Sequence, residues 1–363
     1  MGEQKTYHLL GLMSGSSLDG LDICFATITS GNDFHFTIHA AETFNYSENE
    51  LNFFRSINTD PEINHLQEDM ICAEIFSEYI NRFLYQYGIK NADAIASHGH
   101  TIFHYPQRGI TCQLGNGKLM AERTGLPCIT NFRQADVSAG GQGAPLVPMT
   151  DELFFSDYDA CLNIGGIANI SFRLYDKRIG FDICAANQLL NYCAQQLNLP
   201  YDDGGIIAKS GKVHSELLSQ LNGATFFSKH WPRSMDNNEI RHQFIPMLNN
   251  SKLSVQDQLA TVTEHIADRI AEIIRDQIKI GGLSTAQYRM LVTGGGTLNG
   301  WLLQRIQDLS GIEIHLPSLQ IIHFKEALAM CLMGVLRLEE RPNFLPSVTG
   351  ARMPVCGGDI YLP

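Results

Sequence analysis

The sequence is short of positive charge. Its 363 residues carry 26 Lys and Arg against 38 Asp and Glu, a formal net charge of −12. A chain that grips nucleic acid irrespective of base sequence needs clustered basic residues, so no nucleic-acid partner is expected. Paired cysteines are missing too. Nine Cys are present, an odd count, and no two stand as Cys-x-x-Cys. This reads as scattered buried thiols in a reducing compartment, not as a disulfide framework or a zinc knuckle. No uninterrupted apolar run reads as a membrane span, and Gly2-Glu-Gln-Lys-Thr6 has no signal-peptide character. There is no Gly-Lys-Ser/Thr of a Walker loop, no low-complexity tract and no long charge run. A cytoplasmic, soluble protein with no membrane partner is expected.

What is present is ordinary globular material, 44% hydrophobic and 18% charged, in a length that suits two domains. Tyr7–Leu12 and Leu21–Thr29 read as strands joined by a Gly/Ser/Asp turn, Gly11-Leu-Met-Ser-Gly-Ser-Ser-Leu-Asp-Gly20. His35–Phe44 reads as a third strand, and apolar spacing from about His65 to Tyr87 predicts a helix. Ala92–Ser97 is a short apolar strand ending at Ser97-His98-Gly99-His100, and Lys118–Thr124 a short helix closed by Gly125 and Pro127. Near Asp159 a similar pattern restarts: Ala160-Cys-Leu-Asn163-Ile-Gly165-Gly166-Ile-Ala-Asn169-Ile-Ser171 is strand, glycine turn, strand. Each half therefore opens with a hairpin bearing a small-residue loop, a coarse internal repeat. Ala185–Leu197, Ser254–Lys279, Leu298–Leu309 and Glu326–Glu339 read as helices, and Tyr288–Val292 as a buried strand running into Gly294-Gly-Gly296. The halves should part near residues 150–158. The glycine cluster Ala139–Pro145 before that boundary reads as a mobile loop at a cleft.

Three glycine-rich turns thus follow strands: Gly11–Gly20, Gly165–Gly166 and Gly294–Gly296. Glycine lets a ligand approach the backbone, and exposed N–H groups and Ser hydroxyls donate to phosphate oxygens without any Lys. On an acidic chain a phosphate site would rely on such amides and a metal ion. The turns read either as walls of one nucleotide cleft or as three tight turns of an α/β protein. Asp182, after Gly180-Phe181 and before a helix, suits a general base, a carboxylate holding Mg2+ through water, or, most commonly, a helix N-cap. Asp19 and Asp22 flank the first turn and would organise a hydrated metal ion or stabilise the turn. His98, His100 and His104 share parity on an extended segment. No carboxylate or thiol at ligand spacing joins them, so cleft-lining histidines are expected rather than a zinc site.

Taken in order, several segments resemble the anhydro-N-acetylmuramic acid kinase family, within the superfamily of actin, sugar kinases and heat-shock chaperone ATPases. They are Gly11–Gly20, Ser97-His-Gly-His-Thr101, Gln113-Leu-Gly115, Gly140-Gly-Gln-Gly-Ala-Pro-Leu-Val-Pro148, Leu162-Asn-Ile-Gly-Gly-Ile-Ala-Asn169, Gly180-Phe-Asp182, Gly294–Gly296, Glu326-Ala-Leu-Ala329 and Leu345-Pro-Ser-Val-Thr-Gly350. The resemblance implies a two-lobed actin-like (ribonuclease H-like) α/β fold, each lobe a mixed sheet flanked by helices, with ATP and Mg2+ in the interlobe cleft. It implies an N-terminal lobe over 1–155, a C-terminal lobe over 156–340 and a tail, 341–363, returning to the first lobe. It implies ATP-dependent opening of anhydro-N-acetylmuramic acid by water, with phosphorylation to N-acetylmuramic acid 6-phosphate in peptidoglycan recycling. The alternatives are a kinase of another sugar, or an actin- or chaperone-like ATPase with a protein partner. Carried over by residue, Gly15, Ser16, Ser17, Asp19, Gly20 and Asp22 would bind ATP phosphates, as would Asn163, Gly165 and Gly166. Gly294, Gly295 and Gly296 would meet the adenosine. Asp182 would be the base, His98, Gly99, Arg133 and Glu326 would surround the amino sugar, and Asp19 and Asp182 would hold the metal through water. A homodimer is the expected assembly. The chain departs from the family in three places. Asp182 is followed by Ile183-Cys-Ala-Ala-Asn187 instead of Thr-Gly-Pro-Gly/Ala-Asn, Lys-Ser-Thr-Gly-Arg-Glu becomes Arg233-Ser-Met-Asp-Asn-Asn-Glu239, and His100 replaces Gln.

Overall fold

Alternation along the first strands decides the architecture. In a computed structural model, which describes residues 4–15, 18–230 and 232–363, β1 (Lys5–Ser14) and β2 (Leu21–Ser30) form the expected antiparallel hairpin, and β3 (His35–Phe44) pairs with β2. Leu10, Leu12, Leu21, Ile23 and Phe25 enter one core, while Leu9, Cys24, Ala26 and Ile28 enter another on the opposite face. Successive side chains of a strand point to opposite faces, so a sheet covered on both sides reads as a nearly continuous apolar run.

Helix Leu66–Gln86 covers one face with Cys72, Ala73, Phe76, Ile80 and Phe83. Helix Leu319–Leu338 covers the other with Ala327, Leu328 and Met330 to Met333. Gly11 permits that approach: a Cβ there would overlap the Ala327 carbonyl oxygen and stand 2.7 Å from Cys331 Sγ. Each fully buried side chain of this size contributes about 1.5–3 kcal/mol relative to leaving it in water. Helix Leu319–Leu338 is also long and apolar enough, by length and composition, to cross a membrane. The sequence reading did not anticipate this property. Here its apolar stretch is spent on the sheet.

Two compact units result. One comprises the chain up to Phe154 together with Phe324–Pro363, and the other Phe155–His323. This revises the expected course near residue 340. The chain re-enters the first unit at Phe324, because the helix that follows buries its side chains against β1, β2 and the first sheet's fourth strand.

Within the first unit the strand order is β12-β6-β4-β1-β2-β3, where β4 is Ala94–Tyr105, β6 is Cys128–Thr130 and β12 is Asp359–Tyr361; β5 (Ile110–Leu114) pairs with β4. β4 is longer than expected because it runs on through Gly99 to pair with β5. The second unit has the order β11-β10-β7-β8-β9, with β7 Ala160–Ile164, β8 Ile167–Leu174, β9 Lys177–Ala185, β10 Met290–Thr293 and β11 Ile314–His315. In both sheets three antiparallel strands are followed by two parallel ones beside the first, β4 and β6 in one unit, β10 and β11 in the other. The internal repeat is therefore one of topology. Helix Val255–Gly281, capped by Ser254, lays Leu259, Val262, Ile266, Ile270 and Ile274 into the second core.

Candidate active site

In the first unit the β1–β2 turn is shaped by its backbone. The Gly15 carbonyl accepts from Leu18 N at 3.3 Å, and Leu18 takes a left-handed φ of +57°. A Cβ on Gly20 would lie 2.5 Å from the Phe44 carbonyl oxygen, so only glycine fits there. Ser16 and Ser17 lie outside the described residues. Asp19 is exposed at the turn. Asp22 is not a turn-stabilising residue: it faces Thr43 across the β2–β3 ladder and accepts from its hydroxyl at 2.5 Å. Burial pushes the Asp22 carboxyl up to about 6 against that hydrogen bond, and the charges of Asp19 and Glu326 push the same way.

His98 and Arg133 form a pair whose protonation follows from geometry. Arg133 Nε and Nη2 stand 3.0 and 2.8 Å from His98 Nε2, and His98 Nδ1 stands 2.9 Å from the Gly99 carbonyl oxygen. A guanidinium only donates and a carbonyl only accepts, so His98 is the neutral Nδ1–H tautomer. Burial, with Arg133 adding repulsion, accordingly drives its pKa down to about 3. Burial also lowers Arg133 to about 10, while the charge of Glu326 works to raise it. Glu326 is exposed to water, yet protein packed around it at longer range raises its pKa, opposed by Arg133 and Lys325 and reinforced by Asp19. Gly99 has φ +77°, and a Cβ there would meet the Leu114 carbonyl oxygen at 2.6 Å. It is a packing glycine of the β4–β5 pair.

The other two histidines serve structure. His100 Nδ1 bonds Ser14 Oγ at 2.9 Å, which bonds Tyr46 Oη at 2.7 Å, so this substitution within the family motif builds a buried polar chain behind the first turn. Burial lowers His100 to about 4. His104 Nδ1 bonds Thr111 Oγ1 at 2.8 Å. Both nitrogens of His98 are committed, so the three do not form a metal site.

The glycine segment after Ala139 is pinned, contrary to the expectation of a mobile loop. Asp136, fully buried, accepts from Gly143 N through Oδ2 at 2.7 Å and from Thr349 Oγ1 through Oδ1 at 2.8 Å. Gln142 N donates to the Thr349 carbonyl at 2.8 Å, and a Cβ on Gly141 would overlap the Asp136 carboxylate. The Leu345–Gly350 motif thus secures the Gly140–Pro148 motif. Sequence reasoning missed Asp136 and Thr349, although Thr349 sits inside one quoted motif and Asp136 lies four residues before the other.

In the second unit the other two glycine turns meet. β10 runs parallel to β7 with Thr293 opposite Asn163. A Cβ on Gly294 (φ +87°) would lie 2.6 Å from Asn163 Oδ1, and one on Gly296 would overlap Ile164. Gly295 faces open space. The carbonyls of Gly165 and Gly166 are occupied by Asn187 N at 3.1 Å, and by Ala186 N and Gln188 N at 2.9 and 3.2 Å. Those helix-end N–H groups are thereby used internally, so an anion here would be met by the turn's own amides.

Asp182 does not cap a helix. It lies within β9 opposite Asn169, and helix Asn187–Gln195 starts five residues later with no side-chain cap. Its Oδ2 accepts from Met235 N at 2.9 Å and Ser234 Oγ at 3.2 Å, and its own N–H donates to the Arg233 carbonyl at 2.9 Å. Among the described residues Oδ1 has no hydrogen-bond partner. Burial raises the Asp182 pKa in spite of the two donors. Arg233 spans the segment, donating to the Lys229 carbonyl at 3.0 Å and, more weakly, to those of Asp182 and Ile183 at 3.4 Å. The altered segment after Arg233 therefore grips Asp182 through a retained serine and a main-chain amide, which Met supplies as well as Thr. Ile183, Cys184, Ala185 and Ala186 are all fully buried in the second core.

Among the described residues no group of three or more His, Cys, Asp and Glu is arranged to hold a metal ion. Mg2+ in phosphoryl-transfer sites asks less: it keeps several waters and takes one or two carboxylates plus phosphate oxygens. Taken each by itself, Asp19 of the first unit is an exposed carboxylate, and Asp182 of the second has an oxygen, Oδ1, without a hydrogen bond among the described residues; each is a donor of the kind such an ion takes.

Comparison with known proteins agrees across the whole length. The family described as anhydro-N-acetylmuramic acid kinase matches residues 7–363. The anhydro-N-acetylmuramic acid kinase of Hydrogenovibrio crunogenus is 31% identical, covering 98% of each chain, and that of Shewanella baltica 33%, again covering 98% of each. The one from Synechococcus elongatus is 33% identical over 97% of this chain and 99% of its own. With matches of this extent, the chain belongs to the anhydro-N-acetylmuramic acid kinase family.

Proposed function

We propose that this protein is an ATP-dependent kinase that opens anhydro-N-acetylmuramic acid with water and phosphorylates it to N-acetylmuramic acid 6-phosphate, a step of peptidoglycan recycling. One observation carries the reading beyond family membership. Asp182 is a carboxylate of raised pKa, fixed through Oδ2 and with Oδ1 unbonded among the described residues. That is the equipment of a general base, whose pKa works best near the operating pH.

In this reading Asp182 Oδ1 takes a proton from a water that attacks the anomeric carbon. The ether bond from that carbon to the exocyclic oxygen breaks, and the freed oxygen takes the γ-phosphoryl group of ATP, releasing ADP. The amides and side chains of Gly15, Ser16, Ser17, Asp19, Gly20 and Asp22, and of Asn163, Gly165 and Gly166, hold the phosphates. Gly294, Gly295 and Gly296 take the adenosine. Mg2+, held through water by Asp19 and Asp182, would supply charge neutralisation to the phosphates. His98 orients Arg133 toward the sugar, and Glu326 and Gly99 complete its surroundings. Backbone amides neutralise phosphate without basic side chains, which suits a chain of net charge −12. The buried Ile183–Ala186 stretch alters the support behind Asp182, not a surface, and so favours the family's own sugar over a different one.

The test is ADP release with and without anhydro-N-acetylmuramic acid, in the wild type and in Asp182→Asn. Sugar-dependent ADP release is expected in the wild type. The variant should lose on the order of 10²–10⁴-fold in kcat while keeping its fold. Sugar-independent turnover, or an unimpaired variant, would overturn the reading.

A further inference from the structure

Beside Glu326 lies an ion pair that the proposed reaction does not use. Lys325 Nζ stands 2.6 Å from Asp151 Oδ1, and the two side chains are only 6% and 5% exposed. We infer that the Asp151–Lys325 pair is a positioning device that fixes the direction of Glu326.

Three observations carry this. First, helix Leu319–Leu338 is irregular one residue before the pair: Phe324 has φ −115° and ψ 16°, outside helical values. The turn that follows such a break takes its orientation from tertiary anchors, since the hydrogen-bond ladder no longer dictates it. Second, neighbouring residues on a helix point about 100° apart. Lys325 is buried while Glu326 is exposed, so anchoring the first aims the second. Third, Asp151 belongs to helix Val147–Phe154, which begins where the Gly140–Pro148 segment ends. That segment is clamped by Asp136 and Thr349. The pair therefore references Glu326 to that clamped segment. Energetics agree: a buried ion pair adds little net stability over an apolar pair of similar size, so its value lies in where it places things.

The inference deepens the proposed function in its kinetic arm and stands apart from it in its exchange arm. The double variant Asp151→Leu/Lys325→Met replaces the pair by apolar groups, which commonly preserves stability. Three quantities are measured: the melting temperature, the KM values for sugar and ATP, and amide hydrogen exchange over residues 324–329. The expected result is a melt close to wild type, faster exchange in that stretch, and a sugar KM raised on the order of tenfold or more with an unchanged ATP KM. Wild-type exchange together with a wild-type sugar KM would overturn the inference. Should the double variant fail to fold, Asp151→Asn, which keeps the shape and removes one charge, is read the same way; equal effects on both KM values, or none, count against the inference. A wild type inert on the sugar sinks the functional reading alone, because the exchange arm still tests the anchor.

Discussion

Arg133 spends two of its five N–H donors, on Nε and Nη2, on a single nitrogen of His98. The imidazole is held as acceptor by its own bond to the Gly99 carbonyl. The pair works only while His98 is neutral, which burial and the guanidinium charge both enforce.

His98→Ala should therefore act through Arg133. Removing the acceptor strands two partly buried charged N–H groups, and hydrogen bonds to charged groups are worth about 1.5–3 kcal/mol. If Arg133 touches the sugar, the sugar KM should rise about 10- to 100-fold and the ATP KM should hold, by the rule that 1.36 kcal/mol is a factor of ten. Steady-state kinetics with each substrate varied in turn checks this. A parallel rise in both constants would mean general damage.

Stability should carry a pH signature from His265. This residue is fully buried in the second core, its Nδ1 donates to Asn222 Oδ1 at 2.6 Å, and Nε2 has no partner among the described residues. Burial, and Arg269 after it, lower its pKa from 6.5 to about 3. The unfolded chain then binds a proton that the folded chain refuses. This contribution is complete above pH 6.5 and is lost as pH falls toward 3. In His265→Leu the penalty disappears. Relative to wild type the variant should gain about 1.4 kcal/mol for each pH unit below 6.5. Urea unfolding of both proteins at pH 7.5 and 5 measures the difference, and an unchanged gap would refute it.

The sequence made the hairpins legible because their information is local: alternating apolar residues and a glycine turn specify β1–β2 and β7–β8 without help from elsewhere. The role of Asp182 was not legible in the same way. A carboxylate a few residues before a helix satisfies the capping rule by spacing alone, and only the arrival of Ser234 and Met235, some fifty residues on, makes it a braced strand residue. The same holds for helix Leu319–Leu338. Its apolar pattern announces a buried helix but not which sheet buries it, and that was decided by Gly11 and Gly334 giving it room. Asp136 looked like any acid in a short helix until Thr349, more than two hundred residues away, came to its carboxylate.

Gly294→Ala tests the meeting of the second and third glycine turns. The residue takes φ +87°, and the added methyl would press on Asn163 Oδ1 at 2.6 Å and the Ile164 carbonyl oxygen at 2.7 Å. The Asn163 oxygen ends a side chain, but the Ile164 carbonyl is main chain and cannot swing aside. Strain of this kind costs on the order of 1–3 kcal/mol, and relief comes only by shifting one turn against the other. The ATP KM should rise more than the sugar KM, with a lower melting temperature. Gly295→Ala is the control, since its Cβ would meet open space. If the two alanine variants behave alike, the turns do not depend on each other.

Asp136 allows a sharper test, because its two oxygens have different partners. Oδ2 accepts from a main-chain amide, Gly143 N, which can only donate; Oδ1 accepts from the Thr349 hydroxyl, which can turn and accept instead. Asp136→Asn can keep its remaining oxygen on Gly143 and present its NH2 to Thr349, so its melting temperature should fall only slightly. Asp136→Ala leaves the buried Gly143 amide without its partner, at about 1–3 kcal/mol, and leaves the Thr349 hydroxyl only a longer bond to the Leu345 carbonyl, at 3.4 Å. The alanine variant should melt markedly lower and should expose the 139–148 segment to proteolysis in the native state. The ordering is what matters. If Asn proves as damaging as Ala, the carboxylate's charge rather than its two hydrogen bonds holds the loop.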